Sequence, residues 1–527
     1  MRSGDKSNFT MTKNRESDPQ NGQELFVKAR SKTRRAIRLP KGQANGYRDR
    51  ILDKFSKTPL NGFYLWIAMW PILSVIGAVL FLLPISTKEG IEVDLIDALF
   101  TAISAVTLTG LTVVGTADTW SVFGIVTMLI LFQLGGLGAF AGLAALLSKL
   151  GQLTGLRNNQ LRRAQGLNVE TEQMDLNLWW IVKFMLLSQS VALISIYLNL
   201  SIESGQWGVD ALWTSIFLAI SSVNSAGFVH WGQFDEFSDN NGLMLLLSFF
   251  TIGGSIGFLV IRDLNLAYRR VLLRYDEHIS LRIFIRGVFS RSLLGDTWWR
   301  TSLDSKIVLS TSVGLLLVGT VWIFLREYLG GGLLSGQHFL DALIHGFTES
   351  SFARSSGFTT IDWSESNMGT LLVFTGLMFV GGASGSVGGG IRLATFGLLA
   401  HKFISVLRGD ANQALFGRSI TDHDFRIALV FATCSILFLM GMVLLISQTT
   451  DAALEDVIFE TTSAFSKTGF TTGLTASLSD EGKLLFCLSM LVGRIGPLAV
   501  LTLFAGDPDR PSTPPTVHYP PESVTLG

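Results

Sequence analysis

Long apolar stretches are the feature that most limits how this chain can fold. A helix needs about 20 apolar residues to cross a bilayer. Stretches of that length lie at 63–84, 121–149, 178–202, 242–261, 306–326, 369–404, 425–447 and 483–505. Charged residues make up 16% of the chain, whereas a soluble protein carries about a quarter. The sequence therefore predicts an all-α integral membrane protein with eight transmembrane helices.

A Ser/Thr-rich stretch with a glycine followed by Leu or Phe recurs four times, once between the members of each pair of apolar stretches. The copies lie at 105–115, 221–232, 350–362 and 462–473, and the last two share the string GFTT. Such recurrence indicates internal duplication. The segment before each glycine has roughly 10 to 14 moderately apolar residues, a length typical of re-entrant segments. We expect four helix–pore-loop–helix repeats with four-fold pseudosymmetry around one pore.

The charge pattern orients these repeats. Lys and Arg are concentrated in the N-terminal arm and in the links between repeats, and acidic residues precede the pore loops. Because basic loops stay on the cytoplasmic side, both termini are predicted to be cytoplasmic and the four loops to face outward. The predicted segments are a polar and basic arm (1–60), repeat one (61–150), repeat two (175–265), a basic cytoplasmic linker (266–304), repeat three (305–408), repeat four (424–505) and a proline-rich cytoplasmic tail (506–527).

The four glycine stretches are candidates for an ion selectivity filter. A filter replaces the water around a cation with backbone carbonyls, and glycine allows close approach of the backbone. A single Ser/Thr–Gly string is usually an ordinary turn, but four in register favour a filter. The candidate residues are Thr109, Gly110, Ala226, Gly227, Ser356, Gly357, Thr468 and Gly469. Acidic residues follow each stretch, which favours cations over anions.

A glycine-rich segment inside the apolar stretch 369–404 is a candidate gate. We call residues 381–390 the glycine loop; its candidate gate residues are Gly381, Gly382, Ala383, Ser384, Gly385, Ser386, Gly388, Gly389 and Gly390. So many glycines disfavour a continuous helix, although a glycine-rich packing face is the alternative. Arg494 lies within the last apolar stretch, where an arginine by default marks function; it could instead extend to the inner interface.

Two further basic residues precede filter glycines. Arg354 and Lys467 are expected to turn away from the pore and to bond carbonyls or acids behind the filter. The sequence shows no G-x-S-x-G motif and no metal-ligand spacing, so neither an enzyme nor a bound cofactor is predicted. The net charge of zero gives no reason to expect nucleic acid binding.

The residues resemble a known group of membrane proteins. The strings GGASGSVGGGIR, GRIGP, NSAGF, ARSSGF and TGL are similar to motifs of the Trk/Ktr/HKT superfamily of potassium transporters, over about residues 60–505. Because the first apolar stretch opens repeat one directly, the chain most resembles the KtrB branch, the membrane subunits of bacterial Ktr systems.

The resemblance implies potassium uptake across a bacterial plasma (inner) membrane. K⁺ would be held by Thr109, Gly110, Gly227, Gly357 and Gly469, and the glycine loop with Arg494 would gate the pore. It further implies a homodimer in membrane lipid, a cytoplasmic nucleotide-binding regulatory ring of the KtrA type, and sodium dependence. A Na⁺-permeable or Na⁺-transporting member of the same superfamily is the alternative. Lys467 stands where the family usually has a small residue, which leaves the geometry of the fourth filter stretch open.

Overall fold

A computed structural model describes residues 62–138, 178–203, 205, 207–230, 240–275, 291–409 and 414–497. The predicted N-terminal arm and proline-rich tail lie outside the described residues, as do much of the basic linker and the ends of the second and eighth apolar stretches. The described part consists of helices and one two-stranded antiparallel hairpin, β1 (Ala414–Leu415) and β2 (Arg418–Ser419).

Repeat one contains two longer helices, with a 13-residue helix and a four-residue helix between them. Its helices are α1 (Gly62–Phe81), α2 (Leu95–Thr107), α3 (Thr116–Thr119) and α4 (Val122–Gly136). Ser121 caps α4 by accepting a hydrogen bond from the Gly124 amide at 3.3 Å. Nine of the thirteen residues of α2 are buried against its neighbours, as expected for an apolar segment enclosed within a protein.

Repeat two contains a break that the sequence did not predict. Its helices are α5 (Leu178–Glu203), α6 (Val209–Val223), α7 (Asn241–Ile256) and α8 (Phe258–Tyr275). The chain bends by 87° between α7 and α8, so the predicted continuous span 242–261 is wrong. Gly257 forms the bend with φ +82°, a conformation that glycine adopts at little cost.

Repeat three is interrupted in its second half. Helix α9 (Arg291–Arg300) lies in the predicted linker before it. The helices of repeat three are α10 (Leu303–Ile323), α11 (Phe339–Phe352), α12 (Met368–Phe379) and α13 (Leu393–Arg408). A π-helical turn, Phe324–Leu329, continues α10. Residues 380–392, which include the glycine loop, are not helical.

Repeat four has the same order of elements as repeat one. Its helices are α14 (Asp422–Ile446), α15 (Leu454–Ser466), α16 (Leu474–Ser477) and α17 (Asp480–Ile495). We call α2, α6, α11 and α15 the half-helices, because their 13 to 15 residues are too few to cross a bilayer.

Three helical segments in the described part of the chain have the length and composition to cross a membrane: Ile181–Glu203, Leu303–Leu329 and Asp424–Ile446. The bent pair α7 and α8 would be a fourth.

The repeats pack on one another in a cycle. In each repeat, the long helix on the C-terminal side of the half-helix contacts the half-helix of the next repeat. The pairs are α4 with α6, α7 with α11, α12 with α15, and α17 with α2. The half-helices are thereby enclosed by neighbouring repeats. Their irregular C-terminal extensions are buried in protein, which is the condition under which non-helical backbone is tolerated in a membrane.

Candidate functional site

The half-helices of repeats one, two and four end in the same backbone motif. A residue with positive φ follows the last helical turn: Leu108 (66°), Ser225 (53°) and Lys467 (61°). The next amide then donates to a carbonyl five residues earlier, at 2.8 to 2.9 Å, in the pairs Thr109–Ser104, Ala226–Ser221 and Thr468–Ser463. These are hydrogen bonds of the kind that end helices in a left-handed cap. Lys467 thus occupies an ordinary cap position, and the fourth stretch keeps the geometry of the first and second.

Repeat three differs from the other three. The Ser356 amide donates to the Phe352 carbonyl at 3.1 Å, four residues back, and no residue between Phe352 and Gly357 has a positive φ. The Arg354 side chain is buried and turns outward to α10, where its Nη1 donates to the Ser312 carbonyl at 3.2 Å and to the Ser312 hydroxyl at 2.5 Å. Arg354 therefore bonds a carbonyl, as expected from the sequence.

The four filter candidates meet in a closed ring. A Cβ atom placed on Gly110 would lie 2.7 Å from the Ala226 carbonyl oxygen. A Cβ on Gly227 would collide with the Ser356 carbonyl oxygen, one on Gly357 with that of Thr468, and one on Gly469 with that of Thr109. We call these four glycines and the residue before each the glycine ring. Only glycine lets the backbone of each repeat approach the next so closely.

The glycine ring is an electronegative environment. The carbonyls of Thr109, Ala226, Ser356 and Thr468 each face the glycine of another repeat, and all four residues are buried. Each half-helix also ends a few residues before the ring, and a helix C-terminus carries the equivalent of about half a negative charge. Carbonyl dipoles and helix ends together favour a cation.

His230 lies three residues beyond Gly227 and adds no positive charge there. Its ring packs against Phe217 with centroids 5.0 Å apart. Burial lowers the pKa of His230 to about 4, because removal from water disfavours the charged imidazolium. The histidine is therefore neutral at physiological pH.

The glycine loop has a defined structure. Two backbone hydrogen bonds join the residues at its two ends. The Gly381 amide donates to the Ile391 carbonyl at 3.0 Å, and the Ile391 amide donates to the Phe379 carbonyl at 3.0 Å. The Ala383 amide donates to the Ser255 carbonyl of α7 at 2.9 Å. Ser386 packs beside Gly257, which explains the bend between α7 and α8: a Cβ on Gly257 would lie 3.0 Å from that of Ser386.

Three cationic side chains bond carbonyls of this loop. Arg494 Nη1 donates to the Val387 carbonyl at 2.7 Å, and the Lys467 ammonium donates to the same oxygen. Arg392 Nη1 donates to the Gly388 carbonyl at 2.9 Å. Arg494 thus bonds the glycine loop, and Lys467 bonds a carbonyl as expected.

Arg494 also bonds repeat one. Its Nη2 donates to the Gly135 carbonyl of α4 at 2.6 Å, and its guanidinium lies 4.7 Å from the centre of the Trp70 ring, within cation–π range. Sequence reasoning did not identify Trp70, Gly135 or Arg392. The Arg in GGGIR adjoins the glycine loop and was the available signal for Arg392; neither Trp70 nor Gly135 stands out in its apolar stretch.

Two buried acids were also missed. Glu349 in α11 and Glu460 in α15 have no exposed surface. An ionisable residue within a short apolar segment is the signal that would have found them.

Comparisons with known proteins agree with this geometry. The solved structure of the potassium transporter TrkH from Vibrio parahaemolyticus matches with a TM-score of 0.62, covering 85% of this chain and 86% of that one. At 19% sequence identity, this likeness establishes the fold alone.

The sequence relatives are closer. The chain is 31% identical over 468 residues to the Ktr system potassium uptake protein B of Bacillus subtilis (strain 168), covering 88% of this chain and 95% of that protein. It is 30% identical over 483 residues to the potassium/sodium uptake protein NtpJ of Enterococcus hirae, covering 90% of this chain and 100% of that protein.

The family model of TrkH, described as a cation transport protein, matches residues 53–511. The resemblance inferred from the glycine motifs is therefore confirmed. The chain belongs to the TrkH family of cation transport proteins.

Proposed function

We propose that this chain is the ion-translocating subunit of a potassium uptake system, with the glycine ring as its selectivity filter. The observation that carries the proposal is the cyclic contact of each filter glycine with the carbonyl of another repeat. A ring of carbonyl dipoles binds a dehydrated cation without trapping it at a full negative charge. K⁺ is the proposed cargo, bound through Thr109, Gly110, Gly227, Gly357 and Gly469.

The proposed architecture has eight spans in four pseudosymmetric repeats around a single central pore. The cyclic packing of each repeat on the next half-helix supports it. The Lys/Arg distribution supports cytoplasmic termini, and bacterial relatives support a location in the inner membrane.

The glycine loop is the proposed gate. Arg494 and Lys467 both hold Val387, and Arg494 also holds Gly135 on the opposite repeat. These bonds would keep the loop across the pore. Movement of the loop would require these buried donors to find other acceptors, so the closed and the open arrangement would each need its own set of hydrogen bonds.

Sodium permeation is the second candidate. The relative from Enterococcus hirae is named a potassium/sodium uptake protein. Sodium could therefore be a second cargo or a coupling ion.

Relatives named as members of a Ktr system support partner subunits. We propose a homodimer that binds a cytoplasmic nucleotide-binding ring of the KtrA type.

The test is growth of a potassium-uptake-deficient bacterium at low K⁺, with and without Na⁺, with the chain expressed alone or with a matching regulatory subunit. Rescue at low K⁺ is expected. Failure to rescue by a chain shown to be present in the membrane, even with the subunit, would overturn the proposal.

A further inference from the structure

The string GFTT begins at the filter glycines of repeats three and four, whereas the filter glycines of repeats one and two begin different strings. In both copies, the two threonines approach a fully buried carboxylate in the half-helix of the same repeat. Within the described part of the chain, this contact is therefore confined to repeats three and four.

Glu349 binds the segment after Gly357. The Thr360 amide donates to Glu349 Oε1 at 2.5 Å, and the Thr360 hydroxyl donates to the same oxygen at 2.9 Å. The Thr359 hydroxyl lies 3.2 Å from Oε2. The indole of Trp363 in turn donates to the Thr359 hydroxyl at 2.9 Å, which orients it.

Glu460 binds the segment after Gly469 with more donors. The Thr471 hydroxyl donates to its Oε1 at 2.6 Å, and the amides of Thr472 and Leu474 each donate at 2.8 Å. The Thr472 hydroxyl adds a bond at 3.2 Å, and the Thr475 hydroxyl donates to Oε2.

Among the described residues, the donors to both carboxylates come from the segments 359–360 and 471–475, just after the filter glycines. A buried carboxylate is costly unless it is well hydrogen-bonded. Each carboxyl group therefore holds its segment in place, because releasing the segment would leave buried oxygen atoms without donors.

In the described parts of repeats one and two, no carboxylate of the half-helix makes this contact. The residues eight and nine positions before Gly110 and Gly227 are Ala102, Thr101, Ala219 and Leu218. Thr101 bonds its own helix, at the Asp97 carbonyl. In repeat two, a neutral hydroxyl makes the contact instead, with Ser221 donating to the Phe228 carbonyl at 3.0 Å.

We propose that Glu349 and Glu460 are positioning residues that fix the backbone after Gly357 and Gly469, and that they thereby set the discrimination between K⁺ and Na⁺. The inference rests on the proposed function of the glycine ring as a filter. The rigid half of the ring is then the half built by repeats three and four. A looser ring would close around the smaller Na⁺ and discriminate less.

The test uses the full chain with Glu349→Gln or Glu460→Gln, in cells and in proteoliposomes. Glutamine keeps the size of the side chain but presents an amide NH₂ to donors. Each variant is expected to lower the ratio of K⁺ to Na⁺ uptake about threefold to tenfold, since hydrogen bonds to charged groups are among the stronger ones. Amide hydrogen exchange is expected to become faster at 357–361 or 469–475 respectively.

Glu327→Gln is the matched control. Glu327 is also buried and accepts bonds from the Asn367 amide group, the Thr370 hydroxyl and the Leu333 amide, but all three donors lie outside the segments 359–360 and 471–475. Its variant should leave the uptake ratio unchanged. An unchanged ratio of K⁺ to Na⁺ uptake in both Glu349→Gln and Glu460→Gln, or an equal fall in the control, would overturn the proposal.

Two further arms keep the outcomes distinct. If the unmodified chain carries no K⁺, the proposed function fails, and hydrogen exchange alone decides whether the carboxylates hold their segments; unchanged exchange overturns that. If the glutamine variants do not fold, Thr360→Val and Thr471→Val remove one hydroxyl each and should lower the ratio, whereas Thr360→Ser and Thr471→Ser should restore it. Valine variants with the unmodified ratio would overturn the proposal.

Discussion

Lys467 and Arg494 donate hydrogen bonds to the same carbonyl oxygen, that of Val387 in the glycine loop. Lys467 caps half-helix α15 and Arg494 lies in α17, so the glycine loop is bonded to two helices of repeat four. Because either donor alone can satisfy the oxygen, their effects on the loop are expected to be coupled.

The first prediction concerns this shared acceptor. Lys467→Met and Arg494→Gln should each raise K⁺ flux modestly, with the larger effect for Arg494 because it also bonds Gly135. The double variant should raise flux by more than the product of the single effects, with a coupling of about 0.5–3 kcal/mol. Flux into proteoliposomes measures this. Arg326→Gln, at an exposed arginine, is the control. If the effects of the two single variants simply multiply in the double variant, the two side chains do not hold the loop through a shared acceptor.

The second prediction concerns the loop itself. Deleting residues 385–390 removes the Val387 and Gly388 carbonyls that hold Arg494, Lys467 and Arg392. If the loop obstructs the pore, flux should rise several-fold in a protein that still elutes as the unmodified one does in size exclusion. Equal or lower flux in such a folded protein would argue against a gate.

The third prediction concerns Gly110. Serine there must adopt φ +89°, at a cost of about 1–2 kcal/mol, and its Cβ would press on the Ala226 carbonyl. The uptake ratio of K⁺ to Na⁺ should fall about tenfold, the equivalent of 1.4 kcal/mol. Gly90→Ser is the matched control, because Gly90 has φ +81° and open space around it. Equal ratios in the two variants would place Gly110 outside the filter.

The fourth prediction concerns the contact between repeats four and one. Lys483 Nζ lies 2.6 Å from Asp97 Oδ1, joining α17 to half-helix α2, and both side chains are largely buried. Asp97→Asn should lower the free energy of unfolding by about 1 kcal/mol, and Asp97→Lys with Lys483→Asp should recover part of it. Thermal unfolding in detergent measures both. Asp422→Asn breaks a 3.9 Å pair whose acid is 81% exposed, and should change little.

Repeats and motifs were readable from the sequence because they depend on composition and spacing. The glycines at 110, 227, 357 and 469 stood out for that reason, and the structure brings them together. The bend at Gly257 did not stand out, because a single glycine is tolerated in a helix, and its positive φ and its close approach to Ser386 arise only in the packed structure.

Lys467 illustrates a different limit. A charged residue beside a filter glycine looks disruptive in a sequence, yet the same position is Leu108 in repeat one and Ser225 in repeat two. All three residues have a positive φ at the end of their half-helix. The path of the chain there depends on this backbone conformation and is the same for three different side chains. Backbone angles and the direction of a long side chain follow from tertiary packing, which one sequence does not display.

The glycine ring is made by one polypeptide rather than by four copies of one. In an assembly of identical chains, a single mutation alters every side of the ring at once, and a small adjustment is impossible. Here the residues before the glycines already differ, as Thr109, Ala226, Ser356 and Thr468. If the ring is the selectivity filter, as proposed, selection can change ion preference a quarter of the ring at a time and retain a working protein at each step.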